Sequence, residues 1–258
     1  HHTANLPSST PFVALLSSAS PDGKWIGVQV SYNRTPLQNA VMSSDFKTVA
    51  ITWKSKSFSM PHAFLHDSSG FVTAKDGTLY LVRFADRKLK PLGPMPQNSS
   101  ILGFDPAGKL LLADWSSSQN APWLSTSSPK PGQHILVKAL DLPSLSVSAT
   151  YSVGIPYDPS ELNNPAPRLS PAGDRILWTV LCAERRPVWS WLDQINFAAG
   201  QDATWTTVYV TDVQVNNLQD LGTVRFQRNH GLLNARWRPD GRSISYVDGN
   251  QVYVVPVK

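Results

Sequence analysis

Glutamate is almost missing from this chain of 258 residues: it occurs only at Glu161 and Glu184. Glutamate is a good helix former and proline the poorest, and there are 21 prolines, so long helices are excluded. The single cysteine, Cys182, rules out an internal disulfide framework and a four-cysteine zinc site. One thiol suits either redox compartment, so it does not decide the location. No apolar run approaches the ~20 residues of a transmembrane helix. Neither a G-x-S-x-G elbow nor an H-E-x-x-H pair is present. The net charge of +5 is mild, and the lysines are scattered through the first half rather than gathered on one face. That pattern reads as solvated surface, and no nucleic-acid partner is expected. The chain begins His1-His2 without methionine, so residues 1–11 read as a tag remnant that also holds an extended stretch, Ala4 to Thr10.

What is present is a repeated phrase: a β-prone run, a tight turn containing Pro or Ser, Asp or Ala and then Gly, and a second β-prone run. It reads S-P-D-G-K-W-I-G-V from Ser20 and F-D-P-A-G-K-L-L-L from Phe104. It returns as L-S-P-A-G-D-R-I-L-W from Leu169 and W-R-P-D-G-R-S-I-S-Y from Trp237, with a weaker H-D-S-S-G-F-V-T-A from His66. Each copy is a β-hairpin signal, and their recurrence marks a modular β architecture. The 9 tryptophans supply large rings to pack between such sheets.

Taking Gly23, Gly70, Gly108, Gly173 and Gly241 as register marks gives intervals of 47, 38, 65 and 68 residues. Four-stranded propeller blades take roughly 40–50 residues, so the last two intervals each hold an insertion. The expected fold is an all-β propeller of four-stranded blades spanning residues 12–258, with insertions at 116–133 and 183–205. Five blades are counted, and a sixth stays open if the chain is part of a longer one. The fifth unit lacks its outer strand, and Ala4 to Thr10 is the segment expected to supply it and close the ring.

The S-P-D-G and R-P-D-G turns, with Q-V-Y-V-V near the end, resemble the TolB-like propeller repeats, a WD-repeat-like family. The resemblance runs from about residue 12 to 257 as a repeat pattern. It implies a bacterial, extracytoplasmic protein that binds a protein or small ligand rather than sharing one reaction. Those propellers typically have six blades, so a count of five departs from the pattern.

Topology places the turns between first and second strands on one face and both insertions on the other. Long loops on a rigid scaffold are frequent binding elements. These carry Trp123, Trp189, Trp191 and Trp205, with Trp115 at the entrance, and Trp189 to Phe197 has the spacing of a short helix. The rings either cover one another or form a contact surface. Arginines gather in the last two units. Arg168 and Arg236 share one register position, and if Leu169 and Trp237 point into the core, alternation turns both arginines to the other face. With Arg185, Arg186, Arg228 and His230 they form a set able to receive an anion at one mouth.

Other resemblances to chemistry fail on context. G-F-D-P-A-G-K from Gly103 has phosphate-loop spacing, but Leu110 stands where magnesium needs Ser or Thr, and a strand follows. His62 and His66 fall on an expected strand, about 13 Å apart, too far for one metal. Asp158, Glu161, Asp193 and Asp202 lie in expected loops, with no geometry for a carboxylate pair. The expectation is a non-catalytic binding module without cofactor, engaging a protein or a small anionic or sugar ligand through the propeller face that carries the two long Trp-rich insertions. Its rivals are a hydrolase or lyase with an axial pocket, and the sensor or gating propeller of a larger protein.

Overall fold

The structure is a computed structural model, described here for residues 12–32, 38–54, 62–96, 99–114, 134–154, 166–184, 203–225, 235–248 and 251–258. Among the described residues nineteen strands form five antiparallel sheets and no helix occurs. The first sheet holds β1 (Phe12–Ala19), β2 (Trp25–Tyr32), β3 (Gln38–Ser43) and β4 (Val49–Lys54). The second holds β5 (His62–Phe64), β6 (Gly70–Lys75), β7 (Thr78–Arg83) and β8 (Leu89–Pro94). The third holds β9 (Ser99–Phe104), β10 (Leu110–Asp114), β11 (His134–Asp141) and β12 (Ser146–Gly154). The fourth holds β13 (Ala166–Leu169), β14 (Arg175–Glu184), β15 (Ala203–Asp212) and β16 (Gln219–Arg225). The fifth has three strands, β17 (Arg236–Trp237), β18 (Ser243–Asp248) and β19 (Gln251–Pro256). Strands pair in chain order within every sheet, which makes each sheet a propeller blade.

The chain divides into two compact units, His1–Asp114 with Lys138–Thr150, and Trp115–Val137 with Tyr151–Lys258. In the first unit the leading strands β1, β5 and β9 are neighbours; in the second, β13 lies beside β17. Residues Ala4 to Thr10 and the body of both insertions fall outside the described residues.

One hydrogen-bond pattern builds both hairpin turns of the first sheet. Between β1 and β2, Ser20 Oγ donates to Asp22 Oδ1 (2.6 Å) and accepts from the Trp25 N–H (2.9 Å), while Asp22 Oδ1 accepts from the Lys24 N–H (3.1 Å). Gly23 fills the left-handed position at φ +70°. The turn between β3 and β4 repeats this atom for atom with Ser43, Asp45, Lys47 and Thr48. Phe46 there adopts φ 62° without being glycine. A left-handed non-glycine residue costs about 1–2 kcal/mol, which the serine–aspartate bonds offset. Neighbouring turns also touch: the Asp22 N–H donates to Ser68 Oγ (3.1 Å), and His66 Nε2 donates to the Asp105 carbonyl (2.7 Å).

Alternation along each strand sends side chains to two different cores. Phe71 of β6 joins Phe64, Val82, Val41 and Ala50, with Trp25 stacked on Phe84 (ring centroids 4.5 Å apart). The next residue, Val72, faces Ala63, Leu79, Phe104, Leu110, Leu112 and Leu140. In the second unit Leu177, Val208, Val210, Ala235 and Ile244 form a third cluster against which Trp237 and Tyr246 pack. On the opposite face of β14, fully buried Trp178 donates Nε1–H to Thr211 Oγ1 (3.0 Å). Burying both faces is what lets a thin sheet contribute to two cores at once.

One buried charge interrupts the apolar lining. The Asp114 side chain is 3% exposed at the end of β10, and Lys138 Nζ of β11 donates to its Oδ2 at 2.5 Å. A carboxylate this buried requires a paired cation.

Three expectations are corrected. Gly70 is the first residue of β6 rather than a turn residue; Ser68 holds the left-handed position at φ 54°, so the first two turn intervals become 45 and 40 residues, from Gly23 to Ser68 to Gly108. His66 lies in the turn after β5, which ends at Phe64. β14 and β15 run three residues further than their hydrophobic patterns suggest, pairing Glu184 with Ala203, so positions 183, 184 and 203–205 belong to the ladder and not to the insertion.

Three outcomes are expected. The hydrogen bonds that hold Asp22, Asp45, Asp67 and Asp240 below the ordinary carboxylate value of 3.8 stabilise the fold above the unfolded-state value. That contribution is lost as pH falls through the lower folded-state values, so the urea midpoint is flat from pH 7 to 5 and drops below about pH 4. Asp22→Asn with Asp45→Asn should lower the midpoint at pH 7 and flatten the acid slope. A β-carbon on Gly70 would stand 2.1 Å from the Val82 carbonyl oxygen, so Gly70→Ala should cost roughly 1–3 kcal/mol in denaturant melts. Lys138→Met, which leaves Asp114 buried beside a methyl group, should cost about 3 kcal/mol, near the lower bound for breaking a buried pair.

Candidate functional site

Two of the eight sequence-derived binding residues, Arg168 and Arg236, lie among the described residues; Arg185, Arg186, Trp189, Trp191, Arg228 and His230 lie outside them. The acidic positions Asp158, Glu161, Asp193 and Asp202, and the expected helix over Trp189 to Phe197, also lie outside. Within the second unit β13 and β17 run side by side and bring the two arginines together. The contact is fixed by the indole of Trp237, whose Nε1–H donates to the Arg168 carbonyl at 3.0 Å. Trp237 packs against the cluster around Leu177 and Ile244. Alternation therefore turns Arg236, one residue earlier, to the opposite face.

Both guanidinium groups are half-buried. Burial, and then the positive charge of Arg236, pushes the Arg168 pKa down to about 10. Burial also lowers that of Arg236. The two charges lie close enough to disfavour one another, and an anion between them would accept from both. Guanidinium forks suit carboxylate or phosphate oxygens.

The height of the pair in the sheet matters. Arg168 sits opposite Leu177, two residues before the turn that begins at Ser170, while β14 continues seven positions to Glu184. At about 3.3 Å per residue the strand end that leads into the second insertion is about 23 Å further along. Arg168 thus lies in the turn-side half of the fourth blade, with Arg236 beside it on β17 of the fifth.

Sequence reasoning overlooked Asp114 and Lys138, which border the first insertion. Asp114 ends an apolar strand, L-L-L-A-D, and a charge closing such a run was the available signal. Its partner comes from the far side of the insertion, so no local spacing announces the pair. Among the described residues no group of three or more His, Cys, Asp or Glu side chains is arranged to hold a metal ion.

No protein-family profile matches this sequence, and no curated protein matches it. Solved structures do match. TolB from Acinetobacter baumannii is similar at TM-score 0.54 and 13% identity, over 98% of this chain and 56% of its own. The putative TolB from Agrobacterium tumefaciens gives 0.49 and 14%, over 93% and 73%. An oligogalacturonate lyase in complex with manganese gives 0.45 and 13%, over 92% and 57%. The chain thus spans little more than half the length of the Acinetobacter protein. With its blades built in chain order from strand–turn–strand repeats, the chain has the fold of the TolB-type β-propellers, five blades in this case.

Proposed function

We propose that this chain is a non-catalytic binding module that receives an anionic group, from a small ligand or from a protein, between Arg168 and Arg236. The observation that carries the reading is the pairing of two half-buried guanidinium groups on adjacent strands, fixed by the Trp237–Arg168 hydrogen bond. Two guanidinium groups drawn together from strands distant in sequence supply the paired donors that an anion takes. The resemblance to TolB-like repeats supports a binding role and an extracytoplasmic setting as parts of the same proposal. No helix among the described residues is long and apolar enough to cross a membrane.

A thermal-shift titration with phosphate, citrate and short dicarboxylates tests the site. A ligand at about 100 times its Kd adds about 2.7 kcal/mol, a rise of roughly 5–10 °C for a chain of this size. Arg236→Gln is expected to abolish the ligand-induced rise, because it removes one of the two guanidinium forks. An equal anion response in wild type and Arg236→Gln would reduce the effect to general salt stabilisation and refute the site. The double variant Trp189→Ala with Trp191→Ala should leave the anion response unchanged. If it abolishes the response in a folded chain, binding belongs to the insertion-bearing face instead.

A further inference from the structure

Arg236 does not stand alone on its face of the fifth sheet. It lies directly opposite Ser245 of β18, which lies directly opposite Val254 of β19. Residues opposite one another in a ladder share a face, so a guanidinium, a hydroxyl and an apolar side chain follow in one row across the blade. Val252, two residues from Val254, continues the same face by alternation. The other face packs inward: Trp237, Ile244 and Val255 form the neighbouring row there and belong to the cluster around Leu177.

The row changes character from one end to the other. At β17 Arg236 is half-buried, close enough to Arg168 for the two charges to interact. At β19 Val254 is 49% exposed and Val252 70%, two of the five large hydrophobic residues that are exposed among the described ones. Apolar residues scattered singly on a surface need no explanation, but these two stand side by side and in register with a cation. Residues 251–257 carry no charge, so the apolar end is not interrupted along its own strand. Half-buried Ser245, the smallest side chain of the row, stands between the two ends.

A molecule that fills this row is anionic at one end and apolar along its length. We infer that the arginine pair takes the carboxylate of an amphipathic acid whose alkyl chain lies across the fifth sheet, past Ser245 and onto Val254 and Val252. The inference rests on the reading of Arg168 and Arg236 as an anion site and narrows that site to one ligand class. Guanidinium forks hold the carboxylate oxygens, while the exposed valines supply apolar contact that an inorganic anion does not use. Neighbouring strands are about 4.8 Å apart, so the row from β17 to β19 spans about 10 Å, the length of roughly eight methylene groups. A chain of that length reaches Val254, with Val252 beside it.

Calorimetric titration of the full chain with butanoate, hexanoate, octanoate and decanoate, each below its micelle concentration, tests the inference. Kd should tighten roughly two- to fourfold for each added methylene. Octanol, which has the chain without the charge, should bind roughly tenfold more weakly than octanoate. Val252→Thr with Val254→Thr keeps the β-branched shape at exposed positions and should abolish the dependence, decanoate then binding no tighter than butanoate. Arg236→Gln should remove binding of every acid. A flat series in a chain that still responds to phosphate overturns the alkyl inference and leaves the arginine site standing. No response to any acid or to phosphate overturns both. A chain-length dependence that persists in the double threonine variant, or octanol binding as tightly as octanoate, puts the alkyl chain elsewhere on the surface and overturns the inference. So does a sedimentation coefficient that rises with protein concentration in the wild type and not in the threonine variant, which assigns the two valines to a second copy of the chain.

Discussion

The serine–aspartate turn is the constraint on which the other features depend. A hairpin whose turn is fixed by three side-chain hydrogen bonds has only one register. In a sheet buried on both faces, register decides which side chains enter which core. A one-residue slip in the second sheet would exchange Phe71 for Val72 between their two clusters. The bonds from Asp22 to Ser68 and from His66 to Asp105 then join one turn to the next, so the same small motif also aligns neighbouring blades of the first unit.

Against this regular background the polar groups away from the turns are conspicuous. The arginine pair and the Asp114–Lys138 pair both rest on contacts between residues distant in sequence, and both sit where an apolar lining is interrupted. They differ in sign of consequence. A carboxylate bonded to an ammonium group is a satisfied unit that stabilises the third blade once formed. Two guanidinium groups brought together within the second unit offer two forks to one anion, which is the reason to propose a ligand for them and to assign the ion pair to structure.

The fold was largely legible because its signals are local. Hairpin turns, alternating β-branched residues and the phrase that repeats from Ser20 to Tyr246 lie within short windows. The errors have local causes too. Glycine was followed as the turn marker, yet a serine and an aspartate hold the turns of the first sheet, and Asp67 with Ser69 holds the turn after β5. This explains the misplaced register at Gly70 and the unnoticed second copy at S-S-D-F-K-T, where Phe46 stands in the glycine position. The extra length of β14 and β15 was hidden because Ala183 and Glu184 are weak strand formers that extend the ladder once their partners lie opposite.

The sequence by itself determined the strand–turn–strand unit and the count of five blades. Each of these follows from hydrogen bonds and side-chain alternation within a few residues. It also showed that Arg168 and Arg236 share a register position. Tertiary structure alone decided that β13 and β17 are neighbours, so that equal register became proximity, and that the pair sits about 23 Å along β14 from the mouth of the second insertion. It likewise brought Lys138 to Asp114 across an insertion and left Val252 and Val254 exposed. The physical reason is the same in each case: the energies that select these arrangements arise between blades or between strands far apart in sequence, and no short window of sequence contains both partners.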